Sequence, residues 1–164
     1  CLLGVHHGES EKAQALGLDI ISHMRARMDA ESEKRVARHR EMRREKRFET
    51  LECPLHLEKL DMPARGTALL EDMGNLAANE LYDPDGAGEN AAAAILRGIE
   101  NIAQQCENLI LVSNEVFSGG ADYAGDTDRY LRTLAAVNNA AAARADAVVR
   151  VVCGIPVYYK GSER

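Results

Sequence analysis

The sequence contains few aromatic residues and no tryptophan. Phe, Trp and Tyr together make up 4% of the 164 residues, so we expect Ala, Leu, Val and Ile side chains to build the core. No apolar run approaches the roughly 20 residues that are needed to span a bilayer, and no secretory signal peptide is recognisable. These absences predict a protein without a membrane segment.

Cysteine is scarce and scattered along the chain. Cys1, Cys53, Cys106 and Cys153 form no C-x-x-C pair and have no spacing typical of zinc ligands. Isolated cysteines of this kind are usually small buried side chains in a reducing compartment. We therefore expect a cytoplasmic protein without disulfide bonds, and we expect Cys153, beside Gly154, to pack in the core.

Excess positive charge is also absent. The formal net charge of −6 argues against a general nucleic-acid-binding protein. Basic residues concentrate in one stretch, residues 34–47, within a helix that we predict over 29–47. This stretch lacks interleaved aromatic residues that could stack on bases, so a solvated helix face is the simpler interpretation. No nucleic-acid partner is expected.

Strand and helix patterns alternate along the whole chain. A length of 164 residues predicts one domain over residues 1–164. The alternation predicts an α/β fold with a mainly parallel sheet and helices on both faces. Strands are expected at 1–3, 20–21, 48–52, 68–70, 109–112, 147–152 and 157–159, and helices at 11–16, 29–47, 73–81, 91–106 and 130–145. Residues 83–90 and 119–128 are expected to be loops, and Pro54 places the strand at 48–52 on the sheet edge.

The most informative stretch is LILVSNEVFSGG at residues 109–120. Four consecutive apolar residues predict a strand that is buried on both faces. Ser113, Asn114 and Glu115 follow it directly. Open α/β sheets bind ligands at the carboxyl ends of their strands, so this segment predicts a phosphate or nucleotide site with Asn114 and Glu115 nearby. The alternative is that these two residues cap a following helix.

Two other segments could contribute to the same site. Glu71 and Asp72 follow a second apolar strand, where they favour a Mg²⁺ site or simply form a strand-end turn. The glycine-containing segment from Gly4 to Ser10 connects a strand to a helix, where free backbone N–H groups attract anions. Within it, His6 and His7 are either solvent-exposed or a metal or anion contact.

Three segments, in order, carry a family resemblance. They are RVARHREMRREKRFETLE at 35–52, ALLEDMGNLAANEL at 68–81, and LILVSNEV at 109–116 followed by AAVNNAAAARADAVVRVVCGIPVYYK at 135–160. They resemble the R-I-x-x-H and W-x-T-x-E, S/T-N-L-L, and N-E-V with V-N-Q motifs of the bifunctional adenosylcobinamide kinase / adenosylcobinamide-phosphate guanylyltransferase family of cobalamin biosynthesis. The resemblance covers most of the chain.

The resemblance implies a RecA-like P-loop fold, a homotrimer and two transfer reactions. Such enzymes use GTP or ATP to phosphorylate adenosylcobinamide, a corrinoid, and then transfer GMP to the product through a guanylylated histidine. By position the nucleophile is His39, with Glu71 near Mg²⁺ and Glu115 orienting nucleotide or substrate. The implied nucleotide contacts are Gly4, Gly8, Glu9, Ser10, Arg35, Arg40, Glu52 and Asn114, and Ser10 is also an implied Mg²⁺ ligand.

The phosphate loop departs from the family pattern. The motif G-x-x-x-x-G-K-[ST] is matched here by LGVHHGES at 3–10, with Leu3 at the first glycine and Glu9 at the lysine. A carboxylate in the place of the lysine repels the β- and γ-phosphates. Either the N-terminal record is incomplete or the chain is a diverged paralogue. A catalytically silent member that binds nucleotide or corrinoid therefore stands as the alternative, and an unrelated P-loop-like kinase as a third hypothesis.

Overall fold

The computed structural model of the protein describes residues 2–5, 17–21, 49–117 and 124–162. Within these ranges the chain forms an α/β structure in which seven strands build one sheet. The strands are β1 (Leu2–Val5), β2 (Gly17–Ile21), β3 (Glu49–Glu52), β4 (Thr67–Glu71), β5 (Asn108–Ser113), β6 (Ala147–Val152) and β7 (Ile155–Lys160).

The strand order is β3-β2-β4-β5-β1-β6-β7. All neighbouring pairs are parallel except β6 and β7, which form an antiparallel hairpin. The prediction of a mainly parallel sheet is therefore confirmed, and so is the position of the strand at 49–52 on the sheet edge. Parallel pairing brings the carboxyl ends of six strands to one side of the sheet.

Three helices are described: α1 (Met73–Tyr82), α2 (Ala91–Gln105) and α3 (Asp126–Arg144). The first two agree with prediction to within a residue. The third begins four residues earlier than predicted, because Asp126 and Asp128 place negative charge in its first turn, where the helix dipole favours it. The predicted loop at 83–90 contains a short 3-10 turn at Gly88–Asn90.

Two central strands, β4 and β5, are buried on both faces. Leu70 and Leu111 point into one cluster with residues of all three described helices. Leu69, Ile110 and Val112 form a second buried cluster on the opposite face. The interpretation of the apolar run at 109–112 as a doubly buried strand is confirmed. The predicted helices at 11–16 and 29–47 lie outside the described residues, so a helix on the second face stays a prediction.

The cysteines agree only partly with expectation. Cys53 and Cys106 are buried, and burial raises the pKa of both thiols. The expectation that Cys153 packs in the core is wrong, because this residue is exposed. Cys153 (φ 51°) and Gly154 (φ 81°) form the two-residue turn between β6 and β7. Positive φ at both central residues matches the turn that joins tight hairpins.

No helix within the described residues has the length and apolar character required to cross a membrane.

Candidate functional site

The carboxyl ends of the parallel strands align at one edge of the sheet. Glu52, Ile21 and Glu71 are in register across β3, β2 and β4. On the other side of β5, Val5 at the end of β1 is in register with Ser113. Adjacent strands lie about 4.8 Å apart, so the ends of β4 and β1 are separated by about 10 Å with β5 between them. This edge can accommodate an extended polar ligand.

The two acids after β4 have different surroundings. Asp72 is the N-cap of α1: its Oδ1 accepts a hydrogen bond from the Asn75 backbone N–H at 2.6 Å, and its Oδ2 accepts one from Asn75 Nδ2 at 3.1 Å. For Asp72, these hydrogen bonds support the interpretation as part of a strand-end turn. Glu71, the last residue of β4, is half-buried at the carboxyl edge of the sheet. Unlike Asp72, it does not cap the helix.

Polar groups from three elements meet at the start of α1. Gly74 is buried there, and a Cβ at this position would lie 2.9 Å from the Tyr130 hydroxyl, 3.2 Å from Asn114 Nδ2 and 3.3 Å from Asp72 Oδ1. Because Gly74 has no Cβ, the ends of these three side chains can approach the helix closely, and a larger residue here would make them shift. The resembled family motif has Ser or Thr at the position of Gly74, and a side chain here would begin 2.9 Å from the Tyr130 hydroxyl.

Tyr130 keeps its proton in this environment. Burial raises the pKa of its hydroxyl above the ordinary value, and the negative charge of Asp72 raises it further. A protonated phenol and the amide of Asn114 are both hydrogen-bond donors. Together they can bind a phosphate, carbonyl or hydroxyl oxygen at this end of the sheet.

Glu115 forms an ion pair across the end of β1. Its Oε2 accepts a hydrogen bond from Arg150 Nη2 at 2.7 Å, and its Oε1 accepts one from the Phe117 backbone N–H at 3.0 Å. Arg150 is in register with Val5, the last residue of β1. The helix-capping interpretation does not apply within the described residues, because the next described helix begins at Asp126. The pair holds a guanidinium beside the point where the chain leaves β1.

The end of β5 is fixed to α3 by a buried hydrogen bond. The Ser113 hydroxyl is fully buried and donates to Asn138 Oδ1 at 2.8 Å. Asn138 belongs to the V-N-N segment that carries the family resemblance. Sequence reasoning did not assign Asn138, Arg150 or Tyr130 to the site. Two signals were available: Arg150 is a charged residue within the apolar strand AVVRVV, and Tyr130 is a tyrosine in a chain poor in aromatics.

The structure describes only part of the predicted site. Glu71, Asn114, Glu115 and Glu52 lie at the carboxyl edge of the sheet, and Glu52 is exposed there. Gly4 lies inside β1, paired with Val112 and Val149. The remaining predicted residues, Gly8, Glu9, Ser10, Arg35, His39 and Arg40, lie outside the described residues.

The residue that matches the first glycine of the phosphate-loop motif lies in a strand. Leu3 is paired with Leu111 on one side and Val148 on the other. The first three residues of LGVHHGES therefore belong to β1, and only the last five follow the strand. The described start of this segment is therefore extended strand, and the Glu9 substitution is a second departure from the motif.

The comparison with protein families agrees with the resemblance noted above. A family described as cobinamide kinase / cobinamide phosphate guanyltransferase matches residues 5–159. The matched range includes all three described helices, both central strands and every residue of the carboxyl-edge site after β1. A comparison with curated proteins gave no match.

Proposed function

This chain belongs to the cobinamide kinase / cobinamide phosphate guanyltransferase family, and from that premise we propose that it phosphorylates adenosylcobinamide and then guanylylates the product through His39. The structural observation that supports this proposal is the carboxyl edge of the sheet. There Glu71, the side chains of Asn114 and Tyr130 beside Gly74, and the Glu115–Arg150 ion pair lie around the ends of β4, β5 and β1. We further propose that the fold is a RecA-like P-loop fold.

The chemistry of the edge suits a nucleoside triphosphate with its cation. Glu71 offers a carboxylate oxygen, the ligand type that Mg²⁺ prefers, and we propose that Glu71 and Ser10 hold Mg²⁺. When bound, Mg²⁺ neutralises charge on the triphosphate and its pyrophosphate leaving group. Asn114 and Tyr130 supply neutral donors beside it, and Glu115 holds Arg150 in place.

The proposed guanylyl transfer consists of two successive displacements at phosphorus. The neutral imidazole of His39 attacks the α-phosphorus of GTP, a phosphorus–nitrogen bond forms, and pyrophosphate leaves. A phosphate oxygen of adenosylcobinamide phosphate then attacks the same phosphorus, and the imidazole is released. Arg35 and Arg40 belong to the same charged segment of the sequence as His39, and we propose that they neutralise the charge of the triphosphate.

A silent family member is the second candidate function. Glu9 in the lysine position and Leu3 inside β1 favour it, because both weaken triphosphate binding at the loop. Such a protein would keep the fold to bind a nucleotide or a corrinoid, or to regulate their use. The two candidates differ in whether a covalent guanylyl-protein forms.

Labelling with α-labelled GTP separates the two candidates. With Mg²⁺ present, we expect acid-labile label on the wild-type chain and a loss of about 100-fold or more in His39→Ala, since no other group replaces the nucleophile. His23→Ala is the matched control, and its label should equal that of wild type. Equal label in His39→Ala would contradict the assignment of the nucleophile. No label on the wild type would support the silent candidate.

We also propose a homo-oligomer, and β7 offers a surface for it. Ile155, Val157 and Tyr159 alternate along this edge strand with exposed fractions of 66%, 42% and 67%. Within the described part of the chain, β7 pairs only with β6. An edge strand with a row of exposed apolar side chains favours association.

The mass in solution tests this surface. We expect light scattering to give the mass of a trimer for the wild type and that of a monomer for Val157→Lys/Tyr159→Lys, because the added charges would be buried in the interface. The matched control is Ala93→Lys, which adds a charge at an exposed position of α2. A variant with the wild-type mass would exclude β7 from the interface.

A further inference from the structure

A second cluster of chemically reactive side chains lies away from the carboxyl edge. It consists of His56, Glu58 on the 3-10 turn Leu57–Lys59, and Glu80 on α1. One ligand atom of each residue lies within 4.8 Å of the others. Glu80 follows Met73, the first residue of α1, by seven positions, or about 10 Å along the helix. The cluster is therefore separate from the nucleotide site proposed above.

Backbone hydrogen bonds hold the Glu80 carboxylate in place. The side chain is 1% exposed. Its Oε1 accepts a hydrogen bond from the His56 backbone N–H at 2.7 Å, and its Oε2 accepts one from the Ala87 N–H at 2.9 Å. Each carboxylate oxygen has a further lone pair after these bonds, so a rigid acceptor faces the cluster.

The other two residues bring an imidazole and a second carboxylate to the same place. His56 has a left-handed backbone (φ 57°), and its Nδ1 lies 3.4 Å from Glu58 Oε1. Glu58 Oε2 is buried and has no hydrogen-bond partner among the described residues. An ion pair between His56 and Glu58 would give a partner to Glu58 Oε1 alone. Glu58 Oε2 would stay buried without a hydrogen bond, which is energetically unfavourable.

We propose that His56, Glu58 and Glu80 form a binding site for one divalent transition-metal ion, with Zn²⁺ as the best-fitting ion. An imidazole nitrogen with two carboxylate oxygens is a donor set that Zn²⁺ accepts, and the half-exposed His56 leaves room for a water at a fourth position. Ligand atoms of a tetrahedral Zn²⁺ site lie about 3.4 Å apart, so the three donors need only a small closure. The ion would offset two carboxylate charges and give Glu58 Oε2 a partner.

The buried thiol of Cys53 lies in the same surroundings. Burial raises its pKa, and the charges of Glu58 and Glu80 raise it further. The charges of both carboxylates therefore act on this buried thiol. A divalent cation at the cluster would neutralise these two charges. It would also connect the segment after β3 to α1, and thus stabilise the fold without taking part in guanylyl transfer.

Zinc titration of the full chain tests the proposal. After removal of metal with EDTA, we expect competition against a chromophoric chelator to detect a site at His56 with a stoichiometry of one Zn²⁺ per chain. Glu58→Gln should weaken it by about 100-fold, since a charged ligand is lost while the shape is kept. His56→Asn should have a similar effect, and Asn tolerates the left-handed backbone at this position.

The control and a second measurement keep the result specific. Glu89→Gln alters an exposed carboxylate on the other 3-10 turn, and its Zn²⁺ affinity should equal that of the wild type. Excess Zn²⁺ should raise the Tm of the wild type by about 5 °C but not that of folded Glu58→Gln. Unchanged affinity in both ligand variants, or no binding by the wild type, would overturn the proposal. Neither measurement depends on nucleotide chemistry.

Discussion

Replacing Glu80 by alanine should lower the free energy of unfolding by about 2–4 kcal/mol. The buried carboxylate accepts hydrogen bonds from the backbone N–H groups of His56 and Ala87, and both donors lose their partner in the variant. A hydrogen bond to a charged group contributes about 1.5–3 kcal/mol, and an unsatisfied buried donor carries its own cost. Urea denaturation of metal-free protein, followed by far-ultraviolet circular dichroism, measures the change.

Two further variants separate the carboxylate from the loss of side-chain volume. Glu80→Gln keeps the shape but can offer only one acceptor oxygen. We therefore expect its free energy of unfolding to lie between those of wild type and Glu80→Ala. Glu89→Ala removes an exposed glutamate, and its effect should be within about 0.5 kcal/mol of zero. If Glu80→Ala were as stable as Glu89→Ala, the two backbone hydrogen bonds would not contribute to the fold.

The sheet could be predicted from the sequence because its strands carry a strong local signal. The run from Leu109 to Val112 has no polar residue, which is typical of a strand that is covered on both faces, and the structure buries it on both. Cys153 was predicted wrongly for the opposite reason. Its side chain is apolar enough for a core, but the register of β6 with β7 places it at the turn. That register depends on pairing between strands, which composition does not reveal.

The candidate site was predictable only as far as strand ends could be recognised. Glu71 and Asn114 follow apolar runs, and parallel pairing brings such ends to one edge. The approach of Tyr130 to Gly74 and the pairing of Arg150 with Glu115 join residues that are far apart in sequence. No local pattern encodes these contacts, because they arise from how α3 and β6 pack against the end of the sheet.

The cluster at His56 also depends on contacts between residues that are far apart in sequence. Glu58 reaches Glu80 only because the turn Leu57–Lys59 packs closely on α2. At the contact, Gly98 of α2 lets Leu57 approach: a Cβ on Gly98 would lie 2.5 Å from Leu57 Cβ and 3.0 Å from the Glu58 backbone nitrogen. A glycine in the middle of a helix is unfavourable by about 1 kcal/mol relative to alanine. Close packing is therefore the reason for it here.

Gly98→Ala should lower the free energy of unfolding by up to about 2 kcal/mol, even though alanine is the better helix former. Overpacking a close contact costs about 1–3 kcal/mol. Here the nearest atom is Leu57 Cβ, which cannot rotate away, and the Glu58 backbone nitrogen is also close. This cost exceeds the helix-propensity gain of about 1 kcal/mol in most of that range. Urea denaturation measures the net change.

Ala93→Gly, at an exposed position of the same helix, measures the propensity difference by itself. We expect it to destabilise the protein by about 1 kcal/mol. Gly98→Ala gains the helix propensity that Ala93→Gly loses, so the sum of the two losses in unfolding free energy gives the packing cost at Gly98. A stabilised Gly98→Ala variant would mean that Leu57 and Glu58 can move aside freely. In that case the turn would not hold Glu58 in a fixed position near Glu80, and the zinc affinity of Gly98→Ala should equal that of the wild type. A destabilised variant should bind zinc more weakly, because the added methyl group displaces the backbone that positions Glu58.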